Sequence, residues 1–343
     1  MNRKAPTIRE VAERAGVSIS TVSNVLYGKR GYYSPETAKR VWAAVQQLGY
    51  RPNHIARSLA RRRTFTLGVA IEQQLANVSH NFYFGVLLDG ILQQSSERDY
   101  QVKIIRVRPD ALDRAIDHIE DGSVEGVLAV ALSVGSPLLD HLIHSSVPAV
   151  LAGTIPPNVR LPCVDIDDLA ATYEAVKWLI SLGHRRIGII TGFMSHWSAR
   201  RREQGYLMAL REAGLTPNSA WRYEGGYLLS EGEAGMRCIL RADPRPTAVV
   251  CGNDQVAMGA LRVLREAGIR VPDEMSLIGF DDMEGSALTE PPLTTIRQPV
   301  FDIGLRATEL LIQQIESGQR VEQRILLPTE LVVRATVAPP PPR

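Results

Sequence analysis

The sequence predicts an α/β protein in two parts, an all-helical head followed by a core of two lobes built on parallel sheets. Three observations carry that expectation. Residues 7 to 26, TIREVAERAGVSISTVSNVL, have the spacing of a helix-turn-helix. From Leu67 onward, short apolar runs alternate with helical patterns, the rhythm of right-handed βαβ units. Charge divides the chain at the same place. Residues 1–63 hold 13 Lys/Arg against 3 Asp/Glu, a net of +10, whereas residues 64–343 hold 26 against 34, a net of −8. A basic head on an acidic body points to nucleic acid as the partner of the head.

In the head, Thr7 can cap a first helix, with Glu10 at the reciprocal capping-box position. Ala12 is small enough to let a second helix approach, and Gly16 supplies the positive φ of the turn between them. Val11, Val17 and Val22 fill the shared core. Ser18 caps the second helix, which presents Ile19, Ser20, Ser23 and Asn24 outward. After the polar loop YGKRGYYSPE, Ser34 opens a third helix over about 35–48, with Ala38, Val41, Trp42 and Val45 on its apolar face and Gly49 as its stop. Within RPNHIARSLARRR (51–63), Asn53 can cap a short helix over about 53–61. Two turns do not hold alone in water, so this segment needs a second copy of itself or DNA.

In the core, strands are expected at Leu67–Ile71, Val102–Val107, Gly126–Val130, Ala149–Ala152, Ile187–Thr191, Ala248–Gly252 and Leu277–Phe280. Helices are expected between them, over about 83–98, 110–121, 168–182, 198–213, 230–241 and 255–267. REAGLTP (211–217) and REAGIRVP (265–272) repeat one helix-ending formula, Gly followed shortly by Pro. So many strands fit two lobes, split near residue 164, better than one sheet. A ligand would bind between them, at strand C-termini and helix N-termini. The last residues, 339–343, read as a disordered tail.

Composition excludes several classes. In 343 residues that are 45% apolar, no apolar run approaches the roughly 18 residues of a membrane span. The polar start MNRKAPTIRE is not a secretory leader, which implies a cytoplasmic protein. Cys163, Cys238 and Cys251 are far apart beside apolar residues and read as buried reduced thiols, neither disulfide nor metal ligands. No GxGxxG after a strand, GxxxxGK[ST], HExxH or GxSxG occurs, and Asp281-Asp282 has no nucleophile or metal set beside it. No enzyme activity, cofactor or metal is expected. A solute-binding protein serving a transporter would account for two lobes, but not for the head or the missing leader.

TIREVAERAGVSISTVSNVL, RPNHIARSLA, NFYFGVLLDGI, SLGHRRIGIITG, RRREQGY, NDQVAMGAL, VPDEMSLIGFDD and PPLTTIRQP follow one another in the order of one family. Over about Thr7 to Val337 the chain resembles the LacI/GalR-type family of bacterial transcription regulators. The resemblance implies a helix-turn-helix head with a hinge helix over residues 1–63 and a periplasmic-binding-protein-like core over 64–338. Crossovers are then expected near 163–165, 293–296 and 328–330. The N-lobe would comprise about 64–163 and 295–328, and the C-lobe about 164–294 and 329–338. It further implies a homodimeric repressor on a near-palindromic operator of double-stranded DNA, controlled by a small molecule, a sugar or sugar derivative.

Mapped on the family's motif, Ile19, Ser20 and Asn24 reach base edges in the major groove, while Thr7, Ser18, Thr21 and Ser23 contact phosphates. Asn53 and Arg57 belong to the hinge segment, where Leu59 matches an apolar wedge pushed into the minor groove. The loop Tyr27–Tyr33 is one residue longer than the family's pattern. In the effector pocket, Arg202, Asn253 and Asp281 suit vicinal hydroxyls, with Asp accepting and Arg and Asn donating. Tyr227 would stack on a sugar or base, Tyr83 and Phe84 would form the opposing wall, and Gln298 would sit at a crossover. Two positions depart from sugar-binding relatives. Gly153 stands in place of a polar residue, and His196-Trp197 is an unusual pair before Arg202.

Overall fold

A computed structural model describes residues 6–26, 28, 31–50, 63–72 and 82–342. The hinge helix expected over 53–61 lies outside the described residues. The chain divides into two compact units, Met1–Thr64 and Phe65–Arg343. The boundary falls one residue later than expected, because Phe65 is the first side chain to pack against the large core and stacks on Tyr100 at 5.7 Å.

The first unit contains α1 (Ile8–Ala15), α2 (Ile19–Leu26) and α3 (Pro35–Leu48). Both arms of the α1 capping box form: the Thr7 amide donates to the Glu10 carboxylate at 2.6 Å, and the Glu10 amide donates to Thr7 Oγ1 at 3.4 Å. Gly16 ends α1 in the left-handed region, φ 65°, which an L side chain resists by about 1–2 kcal/mol. Val11, Ala12, Val22, Val25, Val41, Ala44 and Val45 are buried together between the three helices. Trp42 does not join them. It is 48% exposed, because a helix turns 100° from Val41 to the next residue and the buried stripe is Val41, Ala44 and Val45.

The second unit holds two six-stranded sheets among the described residues. Their strands are β1 (Thr66–Glu72), β2 (Gln101–Val107), β3 (Gly126–Val130), β4 (Ala149–Ala152), β5 (Cys163–Ile166), β6 (Ile187–Thr191), β7 (Arg222–Glu224), β8 (Ala248–Cys251), β9 (Ser276–Asp281), β10 (Thr294–Arg297), β11 (Arg324–Leu327) and β12 (Glu330–Val332). The first sheet is ordered β11-β5-β4-β3-β1-β2 and the second β12-β10-β9-β8-β6-β7. All pairings are parallel except β10 with β12. The covering helices are α4 (Phe82–Glu97), α5 (Leu112–Glu120), α6 (Pro137–His144), α7 (Asp168–Ser181), α8 (Trp197–Glu212), α9 (Leu229–Ile239), α10 (Asp254–Glu266) and α11 (Val300–Ser317). Parallel strands buried on both faces explain the near-continuous apolar runs of β3, β4, β6 and β8.

Pairing corrects two of the expected crossings. Cys163–Ile166 is a strand of the first sheet, held between β4 and β11, so the chain leaves that lobe after Ile166 rather than at 163–165. Likewise Thr294–Arg297 belongs to the second sheet, beside β9, so the return comes at 298–300 rather than 293–296. The third passage, between β11 and β12, occupies 328–329. The end of the chain is also more ordered than expected. The Ala338 carbonyl accepts from the Ser276 hydroxyl at 3.0 Å and bonds the His184 ring at 2.9 Å, and the Pro340 ring lies against Gly183. Cys163 and Cys251 are buried, but Cys238, on α9, is exposed. No described helix is long and apolar enough to cross a membrane.

Candidate nucleic-acid interface and effector cleft

The head presents hydroxyls and one amide on a rigid helix. Val22 and Val25 anchor α2 inward. Ile19 is 43% exposed and Ser20 is exposed, with Ser23 and Asn24 half-buried beside them. Ser18 Oγ accepts from the Thr21 amide at 3.1 Å and also bonds Ser20 Oγ at 2.7 Å and Thr21 Oγ1 at 2.8 Å. The N-terminus of α2 is thus a small hydroxyl cluster, suited to an acceptor such as a phosphate. The Thr7 hydroxyl donates to the Glu10 carboxylate at 3.0 Å, so a phosphate contact there would compete with the capping box. Asn53, Arg57 and Leu59 lie outside the described residues.

In the second unit a cavity of about 110 Å³ is walled by Tyr83, Asp165, Arg202, Tyr227, Asn253 and Asp281, among others. Its polar groups come from strand ends and helix starts, as parallel α/β sheets dictate. Asp165 lies one residue before the end of β5, Asp168 opens α7, Asn253 caps α10 and Asp281 closes β9. Arg202 is 9% exposed. Its Nε donates to Asp168 at 2.7 Å and its Nη1 to the Gly252 carbonyl at 2.6 Å, while its plane stacks on Phe280 at 3.5 Å. Gln298 Nε2 donates to Asp281 Oδ1 at 2.5 Å. Asn253 accepts from the Val256 amide at 2.9 Å and donates to the Tyr227 carbonyl at 3.1 Å, so it both caps a helix and faces the cavity.

Burial dominates the electrostatics. It pushes the Asp281 carboxyl up to about 6 against the pull of Arg202 and Gln298. Burial, and then the Asp168 charge, lift Asp165 well above the ordinary carboxylate range. Asp168 is raised by burial even beside Arg202. Burial works to lower the Arg202 guanidinium, but Asp168 and then Asp281 outweigh it and hold the group charged. Just behind the cavity, burial and Asp281 push Asp254 up to about 8, although Thr295 and the Met283 amide both donate to it.

Six of the seven expected pocket residues, Tyr83, Arg202, Tyr227, Asn253, Asp281 and Gln298, line this one cavity. Phe84 does not. It is 4% exposed within the core under α4, and Phe82 lines the cavity instead. Two residues along a helix is about 200°, so the two rings face opposite ways. Asp165 and Asp168 also line the cavity without being among the expected residues; Asp165 lies on β5, a strand the sequence pattern did not reveal, and Asp168 opens the expected helix over 168–182. The departure at Gly153 has a steric cause: its φ is 69°, and a Cβ there would overlap the Tyr83 hydroxyl. His196 packs against Tyr227 and Phe193, with ring centres 5.7 and 5.9 Å away. Burial keeps its imidazole below the usual value and so neutral. Its loop meets the other lobe, where the Val134 amide donates to the Ser195 carbonyl at 2.6 Å. Among the described residues no group of three or more His, Cys, Asp or Glu is placed to hold a metal ion.

Known proteins share this combination. Residues 7–53 match the family model described as bacterial regulatory proteins, lacI family, and residues 176–337 match a periplasmic binding protein-like domain. The HTH-type transcriptional repressor PurR of Pasteurella multocida is 34% identical, over 96% of this chain and 98% of its own. A solved complex of the transcriptional regulator CelR with cellobiose is similar at 32% identity and a TM-score of 0.74, over 96% of this chain and 99% of the other. The lac repressor dimer bound to operator and the anti-inducer ONPF is similar at 29% identity and a TM-score of 0.88, over 98% of this chain and 100% of the other.

Proposed function

The chain belongs to the LacI family of bacterial regulatory proteins and is a DNA-binding transcription regulator of that type, and from this premise we propose that it is a homodimeric repressor whose effector is a sugar or sugar derivative held between the lobes. The single observation that carries the sugar reading is Asp281, Asn253 and Arg202 converging on one cavity with Tyr83 and Tyr227 on its walls. Carboxylate, amide and guanidinium around an aromatic-lined cleft suit vicinal hydroxyls on an apolar ring face. The cellobiose and ONPF complexes of similar regulators support the same chemistry. In the head, Ile19, Ser20 and Asn24 read base edges, and Ser18, Thr21 and Ser23, with Thr7, position the helix on phosphates.

Function then follows from linkage. A ligand that bridges the lobes favours one lobe arrangement, and operator affinity changes by the same factor as effector affinity changes on DNA, typically by about 1–3 kcal/mol. The deciding experiment titrates operator with and without members of a sugar library, and each binding sugar with and without operator. Operator binding should weaken with salt at a log–log slope near −7 if the dimer neutralises about eight phosphates. A flat salt response would remove the DNA-binding role, and independent binding of effector and operator would remove the gate.

A further inference from the structure

The cavity carries more negative than positive groups. Asp165, Asp168 and Asp281 line it, and Arg202 is its one cationic side chain among the described residues. Arg202 is paired with Asp168, donates to the Gly252 carbonyl and lies over the Phe280 ring. Asp281 receives Gln298. His196, the other group there able to carry positive charge, is held neutral by burial. Asp165 is different: it is 5% exposed, it takes a hydrogen bond from the Ile166 backbone, and no side chain among the described residues donates to it. Its charged neighbours are Asp168, of the same sign, and an Arg202 that is already paired. A buried carboxylate with no cation of its own either takes up a proton or meets a cation. Among the described residues the cavity has no lysine to supply one. Its walls do include the rings of Phe82, Tyr83 and Tyr227, a favourable lining for a desolvated ammonium.

We propose that the effector is a polyhydroxylated amine, cationic at neutral pH, whose ammonium is received by Asp165 while its hydroxyls meet Asp281 and Asn253. This rests on the sugar reading above and names its class. The same surplus of carboxylates disfavours sugar phosphates and sugar acids.

The test is calorimetry on the full chain with matched pairs: D-glucosamine against D-glucose, D-galactosamine against D-galactose, and the β-1,4-linked glucosamine disaccharide against cellobiose. Glucose 6-phosphate serves as the anionic probe. In at least one pair the amine should bind about tenfold or more tightly than its neutral partner, the scale of a charge-assisted hydrogen bond. Asp165→Asn should bring that pair together, chiefly by weakening the amine. Asp165→Ser, with thermal unfolding of each variant to verify folding, guards against a defect peculiar to asparagine. Equal or tighter binding of the neutral partners, a preference that survives both variants, or binding of glucose 6-phosphate would overturn the inference and leave the sugar reading intact. Failure of all six sugars would also overturn it, and the wider library then decides the sugar reading separately.

Discussion

Replacing Arg202 by methionine is the most revealing single change in the core. Methionine keeps much of the length and apolar contact of the side chain, so the loss is mainly electrostatic. In the wild type Asp168 sits 2.7 Å from Arg202 Nε, with both side chains at least 90% buried. Removing one partner of a buried pair strands the other charge, which costs about 3–5 kcal/mol. Asp168 is already raised by burial with Arg202 present, so without it the carboxyl takes up a proton instead. The sign of the pH dependence follows. A carboxyl raised in the folded state withholds no stability below its unfolded value, near 3.9, and removes about 1.4 kcal/mol for each unit by which pH climbs towards its folded value. The deficit of Arg202→Met against wild type should therefore be small near pH 4.5 and large at pH 7. Adding Asp168→Asn to Arg202→Met should recover about 2 kcal/mol at pH 7, since no charge is left to bury. Urea denaturation followed by circular dichroism at pH 4.5, 6 and 7 reads all of this. A deficit under about 1 kcal/mol at pH 7, or one independent of pH, refutes the stranded-charge account.

Asp254→Asn should gain on the wild type by about 1.4 kcal/mol per pH unit from about pH 5 to 8 and no further above it, because a carboxyl raised to about 8 loses folded-state stability as pH rises through that window; parallel melting curves across pH would contradict this. Gly153→Ala should cost about 1–2 kcal/mol from its backbone alone, and displace Tyr83 as well. Placing it in a Tyr83→Phe background should return the second part and not the first, as chemical denaturation of the two variants would reveal. Asn24→Ala should relax preference at one or two base pairs of each half-site by roughly 1–3 kcal/mol, whereas Ser18→Ala, which removes both a cap and a phosphate donor, should weaken all sequences alike. Competition binding with single-base operator variants separates these patterns.

The head was legible almost residue by residue, because capping, turn glycines and close helix approach are local and chemically specific: Thr7, Gly16, Ser18, Ser34 and Gly49 each act where their chemistry says they should. Trp42 misled because bulk and apolarity were allowed to outvote its angle on the helix. In the core, β1 to β4, β6, β8 and β9 announced themselves, whereas β5 and β10, largely buried but only four residues long, did not. Nor did β7, β11 and β12, short edge strands with mixed exposure, defined by partners far away in sequence. The helix α11 was missed although Ile303, Ala307, Leu310 and Leu311 keep a helical period and are buried. Individual cavity residues could be carried over by motif. Asp165 could not, since its position depends on β5 pairing with β11, some 160 residues later, although the run Asp165-Ile166-Asp167-Asp168 after an apolar pair was a signal that a strand end was near; Asp168 stood at the start of an expected helix without being singled out.

The late origin of α11 and β11 has a consequence for biosynthesis. A chain emerging from the ribosome supplies β1 to β5, then nearly the whole second sheet, before residues 300–327 arrive to cover and extend the first. Helix α11 packs on β3, β4 and α4, so the apolar underside of those elements waits uncovered while the roughly 165 residues from Ala152 to Ser317 are made. At about 5–20 residues per second that is roughly 10–35 s. The head, with its own core, is complete long before. The nascent polypeptide therefore acquires its DNA-reading part first and its sensing part last, and the half-built first lobe is the stretch of the molecule with most need of a chaperone.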